Sequence, residues 1–121
     1  MALHPELNGH IIHISGAPEL YWIDGGRARH IADEATYHGV FGGSPQSEAY
    51  DGLRSITTGP DVVPGTVLVR PNNWSEIYLI DNKTKRPIPN EQLKGKYQLN
   101  GNVHSVPVNA VESIPDGPSF A

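Results

Sequence analysis

The sequence predicts a small, strand-rich α+β fold: two pseudo-symmetric β-β-β-α-β units that share one core, with mainly antiparallel pairing. Three observations carry that reading. Glu19-Leu-Tyr-Trp-Ile-Asp24 returns as Glu76-Ile-Tyr-Leu-Ile-Asp81, and a fixed-period repeat is the signature of duplicated architecture. Each copy then runs through a tight-turn sequence into Arg29-His-Ile31 or Arg86-Pro-Ile88. Finally, 121 residues suit one domain, whereas half that length would be marginal without a staple, and the chain has no cysteine to supply one. The two units, 9–64 and 65–115, are therefore expected to stabilise one another, with 116–121 a loose tail unless Phe120 docks.

The elements follow in order. Gly9-His-Ile-Ile-His-Ile14 matches Gly65-Thr-Val-Leu-Val-Arg70 at an offset of 56, and both read as β-branched strands. One extra loop residue moves the offset to 57, which makes the second strand Leu20–Asp24 or Ile77–Asp81. Its continuous apolar run suits a strand covered on both faces. Asp24-Gly25-Gly26 and Asp81-Asn82-Lys83 supply hairpin turns, Asn82 taking positive φ less comfortably than glycine. The third strands, Arg27–Ile31 and Lys85–Ile88, are short. Pro87 and Pro89 mark the second as an edge strand or strand end, because proline cannot donate to a ladder.

Asp33 and Asn90 are good helix N-caps, and Glu34 and Glu91 suit the positive end of the helices that follow, about Glu34–Phe41 and Glu91–Tyr97. Leu93 and Tyr97, four apart, share a face. Ser55-Ile56 matches Ser105-Val106 at an offset of only 50, so the first copy is expected to carry about seven extra residues within 42–50. The fourth strands are then Leu53–Thr57 and Val103–Val108, ahead of exits at Val63-Pro64 and Ile114-Pro115.

Tyr78-Leu-Ile-Asp-Asn-Lys-Thr-Lys-Arg-Pro-Ile-Pro89, closed by Ser113-Ile-Pro-Asp-Gly117, resembles a bacterial tandem repeat. That repeat's pattern is Tyr-Leu-Ile-Asp/Glu, a turn, Lys-Arg-x-Ile-Pro, a short helix, a valine-rich strand and Ser-Ile-Pro-x-Gly. It occurs mostly in proteins of unassigned function, some of them secreted or surface-associated. The resemblance spans nearly the whole chain and fits the second copy better: the first has Ala32 where the pattern has proline, and a longer loop. It implies a repeat-built interaction module and brings no catalytic motif.

Charge and composition limit the functions further. The net charge of −4 argues against nucleic-acid binding by the whole domain. It is unevenly spread: residues 1–64 hold 3 Lys+Arg and 8 Asp+Glu, whereas residues 65–121 hold 6 and 5. All four lysines lie in the second half. No basic, apolar leader marks a signal peptide and no run is long enough to span a membrane, so a soluble protein is expected, cytoplasmic or envelope-associated by a non-classical route. The oligomeric state is not readable from the sequence.

Catalytic signatures are sparse. There is no G-x-S-x-G elbow, phosphate loop or HExxH pattern. His10 and His13 would face opposite sides of a strand. A hydrolase or metal-dependent enzyme would have to use His30, His38 and Asp33, which meet only if strand and helix fold back together. Asp24 and Asp81 suit turn positions better than acid/base chemistry. Arg29 and Arg86 are expected to pair across the hairpins with Asp24 and Asp81, or with Glu19 and Glu76; the functional alternative is a symmetric pair of anion-binding points.

The leading expectation is a non-catalytic binding or interaction module of bacterial type, without a cofactor, for a protein or glycan partner. Its contacts would come from the 42–52 loop, the 71–75 loop and the basic second hairpin. Trp74, Arg86, Lys83, Lys85 and Tyr50 are the candidate binding residues, with Trp74 lacking a counterpart in the first copy. A structural repeat within a larger assembly is the other non-catalytic reading.

Overall fold

A computed structural model describes all residues from Met1 to Ala121. The first copy contains β1 (Ile11–His13), β2 (Tyr21–Asp24), β3 (Arg27–His30), α1 (Glu34–Phe41) and β4 (Glu48–Ala49). The second contains β5 (Val67–Pro71), β6 (Ile77–Asp81), β7 (Thr84–Ile88), α2 (Glu91–Lys96) and β8 (Val103–Val106), followed by α3 (Val108–Glu112). The strands form two four-stranded sheets of matching order, β3-β2-β1-β4 and β7-β6-β5-β8. Within each, the hairpin-linked strands are antiparallel, while β4 and β8 lie parallel to β1 and β5. The parallel pairs arise because the chain crosses over through a helix before returning, which a tight turn cannot do.

Both β2–β3 and β6–β7 turn through two residues, closed by Asp24 opposite Arg27 and Asp81 opposite Thr84. Gly25 and Gly26 sit at φ 60° and 74°, Asn82 and Lys83 at 51° and 64°. Two consecutive positive φ values define the turn whose twist matches that of the strands. The second copy makes it with two residues that have side chains, at a conformational cost the first copy avoids. The helix caps form as the sequence predicts: the Asp33 carboxylate accepts from Thr36 N–H and the Asn90 side-chain oxygen from Leu93 N–H, each at 2.8 Å. Helix α2 stops at Lys96, with Tyr97 capping it.

One core joins the copies. Its 13 buried members include Ile11, Trp22, Ile31, Val40 and Phe41 from the first copy and Leu68, Leu79, Ile88, Tyr97 and Leu99 from the second. Trp22 and Leu79, aligned in sequence, are both fully buried. Strand alternation sends Ile11 and Trp22 into this core and Ile12 and Ile23 to the opposite face, where Ala28, Leu53 and Ile56 complete a smaller cluster. Trp22 Nε1 is a buried polar side-chain atom without a hydrogen-bond partner. Rings of Phe41 and Tyr97 stand edge-on to the indole at 5.3 and 5.8 Å, a favoured aromatic geometry.

The expected fourth strand of the first copy is misplaced. Residues Asp51–Ser55 form a 3₁₀ turn, and Glu48–Ala49, inside the supposed insertion, pairs with β1 instead. The Ser-Ile/Ser-Val match that suggested otherwise was a local coincidence. Equivalent exits lie elsewhere: Gly59 N–H donates to Ala28 carbonyl and Gly117 N–H to Lys85 carbonyl, both at 2.9 Å, an offset of 58. There is accordingly no net excess of seven residues in the first copy. Nor is 116–121 loose. Phe120 is 7% exposed, occupies the position of Val62, and lies 4.8 Å from the Tyr97 ring.

Phe120→Ala is expected to lower the unfolding free energy by about 3 kcal/mol, the usual scale for emptying an aromatic core site. Urea titration of both proteins measures it, and an unchanged midpoint would mean the segment contributes nothing.

Candidate functional site

The most concentrated chemistry lies where the two hairpins meet. On β2 and β3, Trp22 stands opposite Arg29 and Asp24 opposite Arg27, so all four side chains leave the same face of the sheet. Leu79, Arg86, Asp81 and Thr84 repeat this in the second copy. The face is the one that builds the shared core, so Asp24, Arg29, Asp81 and Arg86 are directed towards each other between the sheets.

They form a closed, pseudo-symmetric ring. The Arg29 guanidinium donates to both Asp81 oxygens at 2.6 and 2.8 Å, and Arg86 donates to both Asp24 oxygens at 2.6 and 2.9 Å. Each arginine also donates to the aspartate of its own hairpin, at 2.8 Å for Arg29–Asp24 and 3.0 Å for Arg86–Asp81. Each Nε–H is taken by a proline carbonyl, Pro60 for Arg29 and Pro118 for Arg86, both at 2.8 Å. The guanidinium carbons lie 5.3 Å from the Trp22 ring and 4.0 Å from the Phe120 ring. The stronger, two-pronged pairs cross between copies. The sequence pointed to the pairs within each hairpin and missed the crossed ones, whose only trace was the repetition of both charges at one spacing.

Both arginine side chains are at least 96% buried, which disfavours their charged forms, yet the hydrogen bonds and charges of the aspartates hold both guanidinium groups above their ordinary value. Burial alone would likewise push the Asp81 carboxyl up. Hydrogen bonding and charge from Arg29, then from Arg86, outweigh it and keep that carboxyl below its usual range. Both arginines and Asp81 are thus held in their charged forms. Above them opens a polar cleft of about 290 Å³ between the two turns, with Gly25, Arg27, Asn82 and Ser119 on its walls. Tyr97 also reaches it; burial raises its hydroxyl above the ordinary value, and that hydroxyl donates to the Ala121 carbonyl at 2.9 Å.

The expected binding residues do not gather. Arg86 lies in the ring, with its donors turned inward, and is no surface anion-binding point. Lys83 is exposed on its turn. Lys85 bonds the Ile114 carbonyl and pairs with Asp116 at 3.1 Å. Tyr50 is half-buried against the smaller cluster around Ile12 and Leu53. Trp74 is 37% exposed at the far end of β6 from Lys83. Of the alternative trio, His30 stacks near the Tyr21 ring at 5.4 Å, His38 bonds the Gly43 carbonyl, and Asp33 caps α1. No three His, Asp or Glu side chains converge in a metal-binding arrangement. No helix is long and apolar enough to cross a membrane.

Comparison with protein-family models and with curated proteins finds no match. Among solved structures, one chain of the periplasmic assembly from the ESX-5 inner membrane complex aligns with 92% of this chain at 14% identity and a TM-score of 0.35. The aligned part is 34% of that longer chain.

Arg86→Met is expected to destabilise the protein by about 3–5 kcal/mol, because it strands buried carboxylates without their partner. Denaturant titration checks this, and a loss under about 1 kcal/mol would mean the ring is not a structural joint. The pH dependence follows from Asp81. Its folded value lies below its unfolded one, so its contribution is fully present above an unfolded pKa of about 4 and is lost as pH falls through the folded value. Stability measured from pH 7 to pH 2 is expected to drop mainly below about pH 4. Asp81→Asn should start lower and fall less steeply.

Proposed function

We propose that this chain is a non-catalytic binding module that engages a protein or glycan partner through its unrepeated surface, chiefly the 71–75 loop. The observation that carries the reading is the division of labour between the copies. The ionisable groups they share most strongly are consumed in joining one copy to the other. Trp74, a large aromatic side chain with no counterpart in the first copy, is instead left open to solvent.

The loop is well suited to presenting it. Trp74 N–H donates to the Pro71 carbonyl at 3.0 Å, Asn72 N–H donates to the Val106 carbonyl at 2.8 Å, and Asn73 holds φ 69°. Two ladder strands, β5 and β6, anchor the ends. Beside the indole lies an open groove with Asn73, Ser75, Glu76 and Tyr78. An aromatic face flanked by hydrogen-bonding groups fits the apolar face and hydroxyl edge of a sugar, or an anchor position in a protein interface. Loops on a rigid scaffold are the usual carriers of recognition. Lys83 lies beyond the opposite end of β6, whose five residues span about 17 Å, so it serves a broad partner only.

Immobilised glycan and protein-fragment panels test this with wild type and Trp74→Ala, whose melting temperatures should agree. Selective retention that weakens about tenfold or more in the variant is expected, the scale of an aromatic hot spot. Retention unaffected by the substitution, or turnover of a panel compound, would overturn the proposal.

A further inference from the structure

A second kind of surface feature is duplicated, and the two copies treat it differently. Each copy has a cleft between the start of its second strand, the end of its third and the first turn of its helix. Every residue lining the second-copy cleft is the first-copy residue plus 57. Shared positions build the same frame: an apolar floor of Leu20 and Ile31, or Ile77 and Ile88, and an acidic rim of Glu19 and Glu34, or Glu76 and Glu91.

The differences decide what each cleft can hold. In the second copy Pro87 and Pro89 replace His30 and Ala32, and Lys94 replaces Tyr37. That cleft is smaller, at about 310 Å³ against 440 Å³, and has a lysine in its lining. The first-copy cleft has no lysine or arginine in its lining. Glu19, Glu34 and Asp33 are all exposed there, and none is in an ion pair. Tyr37, buried, extends the apolar floor instead.

We infer that the first-copy cleft docks a lysine or arginine side chain carried on an extended segment of a partner protein. The chemistry of such a side chain matches the cleft at both ends. Its methylene stem lies along Leu20, Ile31 and Tyr37, and its charged head reaches the carboxylates at the rim, the usual division for long cationic side chains. The volume suits one such side chain with an apolar neighbour and falls within the range of small-ligand pockets. In the second copy the lining itself includes a cation, Lys94, at the position of Tyr37, although Glu76 and Glu91 are in no ion pair either. This site is separate from the Trp74 loop and stands whether or not that loop binds a glycan.

The test is a titration of the isotopically labelled full chain with acetyl-Leu-Arg-Leu-amide at low salt, followed by amide chemical shifts. Acetyl-Leu-Gln-Leu-amide is the neutral control. Saturable shifts are expected around Leu20, Ile31 and Tyr37, and not around Ile77 and Ile88. They should weaken about threefold or more in the Glu19→Gln/Glu34→Gln variant and with added salt, as exposed charge pairs do. Both glutamates are exposed and Asp33 keeps its cap, so the variant should fold with an unchanged spectrum elsewhere. Equal shifts with the glutamine peptide, equal shifts in both clefts, or no loss in the variant would overturn the inference. Trp74→Ala should leave these shifts intact; that arm separates failure of this site from failure of the loop.

Discussion

The structure depends on a ring of four buried charges. Two arginines and two aspartates, one of each per copy, neutralise one another across the pseudo-two-fold axis. A buried ion pair is weak as a source of net stability, since well-packed apolar side chains of similar volume often do as well. Its consequence is orientation. A two-pronged arginine–aspartate contact tolerates little rotation or slippage, and two of them related by symmetry define one arrangement of the sheets. The apolar core between the sheets can then be filled by unlike residues, such as Trp22 against Leu79 or Val62 against Phe120, without loss of register.

The ring also explains features that look unrelated along the chain. Both hairpins need tight turns because the aspartates must end their strands within reach of the opposite copy. The Gly59-Pro60 and Gly117-Pro118 segments must run beside β3 and β7, because their proline carbonyls take the last inward N–H of each arginine. Those segments in turn cover the outer edges of the sheets, which would otherwise expose unpaired backbone. Phe120 closes over Arg86 as part of the same arrangement.

With the frame held in common, the copies are free to differ on their surfaces. The first copy has glycines at its turn, an aromatic residue in its cleft and most of the histidines. The second has lysines, prolines and Trp74. Duplication thus yields equivalent places with different chemistry, and the uneven charge of the halves, diffuse in composition, becomes local once the two clefts are compared.

Much of this was legible in the residues themselves. The repeat, the hairpin turns, the Asp33 and Asn90 caps, the extent of α1 and the burial of Trp22 follow from short-range rules: which residues accept positive φ, which side chains bond a free N–H, and which positions recur. The chain by itself thus determined the class of fold and, in each copy, the first three strands and the helix that follows them. Tertiary structure decided what had no local signal. The position of β4 rests on pairing with a distant strand, which two residues of sequence cannot announce. The docking of Phe120 needs a surface that exists only after both copies fold. The choice of Asp81 over Asp24 as the two-pronged partner of Arg29, and the matching of two clefts, arise only when the sheets face each other, because partners 52 residues apart leave no trace in local spacing.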